Sequence, residues 1–237
     1  MSAPIQVIGP APAWGVAAAG ELCGTLASRA EPFPCTFAVS SVRKSALRFG
    51  FVEDLDDEDT WAGLPGVLTE YLRGYREIDR ETALIVFFGR SGEREVEGYR
   101  DRFWRVLQYL HERDEEKWPQ GVPLDTEDPE WEFGFGGTPL FVVCNTPAHS
   151  TRRSRHSTHF MVSFQPRWVF EGLGPETPRG ASVRRVIRNR LRAFDGMEPS
   201  AALGDYGDPG NREWRQYFLP DVGEDGEGRC PFRHREP

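Results

Sequence analysis

Between residues 144 and 159 the chain carries Cys144, His149, Arg152, Arg153, Arg155, His156 and His159. Neutral imidazole is the commonest protein metal ligand, so His149, just beyond Pro147, is the sharpest single candidate for chemistry. Three arginines in one loop crowd like charges, which costs energy unless an anion sits among them. A phosphate or a dicarboxylate would supply that anion through bidentate, charge-assisted contacts. A solvated basic loop paired with the acidic surface is the plain alternative. The lead-in to this span is aromatic and rich in glycine: Trp131-Glu132-Phe133-Gly134-Phe135-Gly136-Gly137.

Several chemistries meet these residue types. A histidine beside arginines and aromatics fits haem, with the histidine on iron, the arginines on the propionates and apolar walls excluding water. Zinc could draw on Cys144, His149, His156 and His159, but Cys-x4-His-x6-His-x2-His is an unusual structural spacing. Cys35 and Cys144 lie in apolar runs; a thiolate iron ligand or a nucleophile is one reading, and a buried structural thiol is the other. The glycines at 134, 136 and 137 do not stand between a strand and a helix as a dinucleotide fingerprint requires, which leaves close approach of a flat ligand or a tight turn. Glu132 alternates with Trp131 and Phe133, so it faces away from them and could hold a cation or a structural arginine. No nucleophile-elbow pattern supports a hydrolase.

These residues need elements to position them. The run 138–145 ends at Pro147, and 160–166 returns as a second strand. Residues 33–40 and 47–52 read as two paired strands, with Phe49 and Phe51 on one face. Leu64, Leu68, Tyr71, Leu72 and Tyr75 follow helical spacing. Residues 83–88 form a continuous apolar strand covered on both faces. An amphipathic helix follows, with Tyr99, Phe103, Val106, Leu107 and Leu110 on one stripe. Residues 114–128, punctuated by Trp118-Pro119 and Pro123, read as extended chain. Val183, Ile187, Leu191 and Phe194 mark a last helix whose outer face carries Arg184, Arg185, Arg188 and Arg192. A helix near residues 14–26 is weakly patterned, residues 1–30 are expected to be loose, and the tail 199–237 is expected to be irregular with anchors at Tyr206, Trp214, Tyr217 and Phe218. The fold class that follows is α+β: a mixed, mostly antiparallel sheet flanked by helices in one domain spanning 1–237.

Composition narrows the partners. At 237 residues the chain can bury roughly 70–75% of its unfolded surface in one core. A formal net charge of −8 argues against duplex nucleic acid or an anionic membrane as a partner. The four cysteines are widely spaced with no Cys-x-x-Cys, which disfavours zinc ribbons, iron–sulfur clusters and thioredoxin-like pairs. No basic segment precedes a long apolar run, so neither a signal peptide nor a membrane span is expected, and a cytoplasmic protein with reduced thiols is.

Seven segments, in order, resemble the YqcI/YcgG family: Phe33-Pro34-Cys35-Thr36-Phe37-Ala38, Leu47-Arg48-Phe49-Gly50-Phe51-Val52, Trp118-Pro119 with Val122-Pro123 and Asp125, Trp131-Glu132-Phe133, Asn145-Thr146-Pro147-Ala148-His149, Arg152-Arg153-Ser154-Arg155, and Phe164-Gln165-Pro166-Arg167. That family includes haem-dependent N-oxygenases of natural-product pathways acting on guanidine-type nitrogens: the arginine N-hydroxylase of D-cycloserine synthesis, an enzyme of guanitoxin synthesis, and the enzyme that oxidises 2-aminoimidazole to 2-nitroimidazole. The resemblance implies an oxidoreductase, a monooxygenase with b-type haem. It makes His149 the favoured iron ligand, Arg152 and Arg155 the propionate partners with Arg167 in reserve, Phe133, Phe135 and Trp168 pocket walls, Cys144 a neighbour of the ligand and Glu132 the holder of a substrate cation. It implies a small-molecule substrate, dioxygen or peroxide, and an external electron donor, since the chain has no flavin, nicotinamide or iron–sulfur motif. A homodimer is open to it. With no acid between Phe133 and Phe170, the 2-aminoimidazole reaction is favoured over arginine N-hydroxylation. A haem-binding sensor or carrier without turnover is the alternative from another class.

Overall fold

Ala83 to Phe88 form most of β2 (Ala83–Arg90), and all six are buried. That uninterrupted apolar run is what a strand covered on both faces requires. Its neighbours are β1 (Leu47–Asp54) on one side and β5 (Met161–Pro166) on the other. β4 (Thr138–Asn145) and β3 (Phe133–Phe135) complete a five-stranded sheet in the order β1-β2-β5-β4-β3. The computed structural model describes residues 4–174, 176–223 and 228–235.

β1 and β2 run parallel; every other pairing is antiparallel. A parallel pair needs a crossover, and α3 (Leu64–Ile78) supplies it, burying Leu64, Leu68, Tyr71 and Tyr75. α4 (Val96–Glu112) packs on the same sheet face through Tyr99, Phe103, Val106, Leu107 and Leu110. The expected single α+β domain with a mixed, mostly antiparallel sheet is what forms. β3 and β4 are joined by Gly136 and Gly137 at φ of 57° and 65°, the two-residue hairpin that glycine permits. Gly134 is there for packing: a Cβ would lie 2.4 Å from Pro119 Cδ.

Two expectations need correction. Residues 33–40 do not form a strand paired with β1: from Thr36 the chain is a helix, α2 (Thr36–Arg43). Phe37, Val39 and Ser41 are buried at alternate positions, which imitates a strand in sequence. Local chemistry decides otherwise: Cys35 Sγ caps the helix by accepting Ala38 N–H at 3.5 Å, and Ser41 Oγ donates to Phe37 O at 2.8 Å. The outer edge of β1 is taken instead by the N-terminal segment, with Ile8 N–H to Phe49 O at 2.8 Å and Phe49 N–H to Gln6 O at 2.9 Å. That segment and α1 (Ala13–Ala27) are therefore held on the sheet rather than loose; residues 1–3 lie outside the described residues.

The strands alternate their side chains between two cores. Leu84, Val86, Phe88, Leu140, Val142, Cys144, Val162 and Phe164 face α3, α4 and the tail. Leu47, Phe49, Ala83, Ile85, Phe87 and Met161 face α1 and α2. The tail has little regular structure beyond α6 (Trp214–Tyr217), yet Trp214, Tyr217, Phe218, Cys230 and Phe232 are buried in the first core. α5 (Pro178–Asp195) runs across the second face with only Gly180, Phe194 and Asp195 buried.

Candidate functional site

A cavity of about 360 Å³ lies between the second face of the sheet and α5. Its floor is built by period-two alternation: Ala83 and Ile85 from β2, Met161, Ser163 and Gln165 from β5, and Phe141, Val143 and Asn145 from β4. Its walls are Leu22 and Leu26 of α1, Cys35 at the N-cap of α2 and Phe37 within it, and Val183, Ile187 and Leu191 of α5. The expected helical stripe on α5 thus covers a cavity instead of a packed core. The volume falls within the range of small-molecule sites, about 300–1,000 Å³.

Charged groups stand around this apolar space: Arg152, Arg155, Arg167, Arg184 and Arg188, with Asp205 and Glu213. The loop carrying the first two is fixed from both sides. Asp221 accepts the backbone N–H groups of Ser150, Thr151 and Arg152 at 2.9–3.0 Å and the Ser150 hydroxyl at 3.0 Å. Asp195, at the end of α5, accepts Ser154 N–H and its hydroxyl, both at 2.7 Å. Burial works against the Asp221 charge, but these donors hold its carboxyl below the usual range.

The arginines then differ. Arg152, 2% exposed, spends its donors on Pro220 O at 2.7 Å and Gly223 O at 3.2 Å. Arg153 turns outward to Glu31 at 2.7 Å and lies over Phe194. Arg155, 7% exposed, donates Nη2 to Gln216 O at 3.0 Å, while its buried Nη1 has no hydrogen-bond partner among the described residues. Burial lowers its pKa to about 10, so it stays cationic at neutral pH. A buried cation with an open donor on an apolar cavity is a place for an anionic group of a ligand. These residues fit a largely apolar group that carries an anion, a class to which haem belongs.

Glu132 and Arg167, expected on a substrate and on a propionate, are paired with each other. Arg167 Nη2 donates to Glu132 Oε2 at 2.6 Å, its Nε meets the second oxygen, and its guanidinium lies 3.1 Å over the Tyr206 ring. Glu213 approaches the same guanidinium at 3.4 Å and is 5% exposed. Burial raises both carboxyls to about 7, against the pull of Arg167. Two acids around one arginine leave a surplus negative charge when both ionise. Glu213 lines the cavity, whereas Glu132 lies behind Arg167. No local pattern in the sequence marks Glu213 or Asp205: both come from the tail, far from the 133–170 span that carries the arginine loop.

His149 is buried with both ring nitrogens engaged. Nε2 meets Leu219 O at 2.9 Å, so Nε2 carries the proton, and Nδ1 accepts from Thr146 Oγ1 at 2.8 Å. Burial lowers its pKa, which favours this neutral form. The ring ties the loop to the tail and does not line the cavity. Phe133, Phe135, Cys144 and Trp168 belong to or pack on the opposite core; Trp168 meets Tyr75 edge-on at 5.6 Å. His156 bonds His149 O through Nδ1 at 2.8 Å, and His159 stacks on Trp14 at 5.4 Å. Among the described residues, no three His, Cys, Asp or Glu gather as a metal cluster, so the zinc set does not assemble.

Relatives cover most of this chain. Uncharacterized protein YcgG of Bacillus subtilis (strain 168) is 39% identical over 227 residues, 94% of this chain and 89% of that one. Uncharacterized protein YqcI of the same organism is 37% identical over 225 residues, 93% and 88%. DcsA of Streptomyces lavendulae, provisionally named an N(omega)-hydroxy-L-arginine synthase, is 36% identical over 210 residues, 86% and 78%. No solved structure matches. The family model spans residues 24–233, from α1 through the cavity to the buried tail, and with it the chain belongs to the YqcI/YcgG family.

Proposed function

We propose that this protein is a haem-dependent N-oxygenase acting on an amino nitrogen of a guanidine-type small molecule. The observation that carries the reading is the cavity itself: an apolar slot bordered by the open donor of Arg155 and by the acid Glu213, in a chain similar to a provisionally named arginine N-hydroxylating enzyme. Haem b, when bound, supplies the oxygen activation that no side chain here can perform. The chain's own part is placement. Arg155, through its open Nη1, would hold a carboxylate of that group, while Arg152, bonded to Pro220 and Gly223, fixes the loop. Val183, Ile187 and Leu191 of α5 would give that group an apolar cover.

The sequence favoured 2-aminoimidazole because no acid stood between Phe133 and Phe170. Glu213 and Asp205 on the cavity remove that ground, and the resemblance to DcsA draws the choice toward arginine. Glu213 would take the guanidinium. Its raised pKa means that binding a cation at neutral pH displaces a proton from the Glu132–Arg167–Glu213 group.

The test is reconstitution of the purified chain with haem b, followed by incubation with arginine or 2-aminoimidazole, dioxygen and a reductant, with products read by mass spectrometry. A product gaining oxygen on nitrogen supports the reading. A stable holoprotein that yields none across a panel of guanidines supports a carrier or sensor instead. No Soret band removes haem altogether.

A further inference from the structure

Resting on the haem reading above, we infer that the iron ligand is the thiolate of Cys35. The four cysteines and five histidines are all among the described residues, and of these nine Cys35 alone lines the cavity. Cys23 lies on α1, Cys144 faces the opposite core and Cys230 is buried in the tail. His149 would have to break two buried hydrogen bonds, to Thr146 and Leu219, before either nitrogen could meet a metal. Of the side-chain types that hold haem iron, the cavity also presents a tyrosine and a methionine. The Tyr206 hydroxyl donates to Glu130 O at 2.7 Å, and burial pushes its phenol up to about 12. Met161 offers a neutral thioether, which does nothing for the charge of Arg155.

Cys35 has what a thiolate ligand needs. Its sulfur is the N-cap of α2 and accepts the Ala38 N–H at 3.5 Å, so a developing negative charge meets the positive end of the helix. Pro34 and the cap fix the residue at the point where the chain turns into α2. The second, independent observation is Arg155: a buried guanidinium on the same cavity with Nη1 unpartnered among the described residues. In the free protein burial raises the Cys35 pKa, while the Ala38 and Phe37 amides and Arg155 lower it. On ligation the S–H bond breaks, its proton leaves to solvent, and the sulfur lone pair forms the bond to iron, with no change of oxidation state. The cationic Arg155 and the α2 N-terminus would then offset the charge of the thiolate, and Arg155 would hold a carboxylate of the bound group. A thiolate also suits the proposed reaction, since it pushes electron density onto the iron and favours O–O cleavage.

The experiment is absorption and electron paramagnetic resonance spectroscopy of the full chain reconstituted with haem b, in the ferric state and as the reduced carbon monoxide complex. The wild type is expected to give the thiolate signature, a strongly red-shifted carbonmonoxy Soret band and a thiolate-type low-spin ferric signal. Cys35→Ser should abolish that signature. Serine is a strong helix N-cap, so α2 is retained and the loss reports ligation rather than folding. Cys35→His should convert the spectrum to an imidazole type. His149→Gln, which keeps hydrogen-bonding groups for the loop and the tail, should retain the thiolate signature. A wild-type spectrum of imidazole type, or one that Cys35→Ser leaves unchanged, overturns the assignment while leaving the haem reading intact. A wild type with no Soret band removes the haem reading and this inference together.

Discussion

The two faces of one sheet have been finished differently. On the first, Val86, Phe88, Leu140, Val142, Val162 and Phe164 meet α3, α4 and the tail, and the space is filled by aromatic rings: Trp61 on Tyr109 at 5.3 Å, Phe103 on Trp104 at 5.1 Å, Phe88 on Phe160 at 5.2 Å. On the second, equally regular strands offer Ala83, Ile85, Val143 and Ser163 beside Phe141, Met161 and Gln165, and the covering helix α5 stays mostly unburied. Strand alternation is the same on both sides. What differs is the covering layer: α3, α4 and the tail bury their aromatic rings against the first face, whereas α5 buries only Gly180, Phe194 and Asp195. The first face holds the fold, so the second can keep a hole.

The largest break of this contrast is in the closed face. Phe103, fully buried between Trp104 and Phe218, should cost about 3–5 kcal/mol when cut to alanine. Leu191→Ala on α5 already faces space, so its loss should stay below about 1 kcal/mol. Urea unfolding of both variants measures the difference; equal losses would mean that the cavity face is packed in solution.

Next comes the clamp that holds the arginine loop to the tail. Asp221→Asn keeps an acceptor but loses the charge that three backbone N–H groups and one hydroxyl share, at an expected cost of about 1–3 kcal/mol. The carboxyl is held below its ordinary 3.8, so its contribution is present above that pH and disappears as pH falls through the lowered value. His149 adds to the same acid sensitivity. Its depressed pKa means that the neutral ring of the folded state is favoured above 6.5, and stability falls as pH drops below that value. A pH series of midpoints for wild type, Asp221→Asn and His149→Gln should show the acid-side slope flattened in each variant.

How far the sequence could reach differs between the same two regions. The closed face was legible because its chemistry is periodic: Ala83 to Phe88 announced a doubly covered strand, and the Tyr99-to-Leu110 stripe announced its helix. The family resemblance also rested on residues that the structure brings near each other, among them Phe33 to Ala38 and Arg152 to Arg155. Cavity residues are harder to read. The residues that line it come from α1, α2 and the turn before it, four strands, the arginine loop, α5 and the tail, and pairings across such distances leave no local pattern. Glu132 is instructive: alternation correctly turned it away from Trp131 and Phe133, but only the fold says that Arg167 meets it there. The span 33–40 reads as a strand because its aromatic and β-branched residues outweigh a single capping thiol, Cys35, in the sequence pattern. His149 stood out because of its loop, and it is by holding that loop to Leu219 that it acts in this structure.

The smallest effect on the fold falls on the open face and bears on function. Glu213→Gln removes one of two acids around Arg167 and leaves Glu132 to neutralise it. Both carboxyls are raised by burial from 4.5 to about 7, so in the folded wild type their ionisation costs stability, a cost that grows as pH rises from 4.5 through 7. Glu213→Gln should therefore lose less stability than wild type over that window while its stability in acid changes little. Binding of arginine to the holoprotein should move the other way. Wild-type affinity should strengthen as pH rises through about 7, because a cation binds best to the fully ionised pair, and calorimetry in buffers of different ionisation enthalpy should detect protons released on binding. In Glu213→Gln the affinity should fall about tenfold or more, the scale on which a charge-assisted hydrogen bond counts, with most of the pH dependence gone. An unchanged affinity and pH profile would place the substrate cation elsewhere on the cavity, with Asp205 the next acid to test.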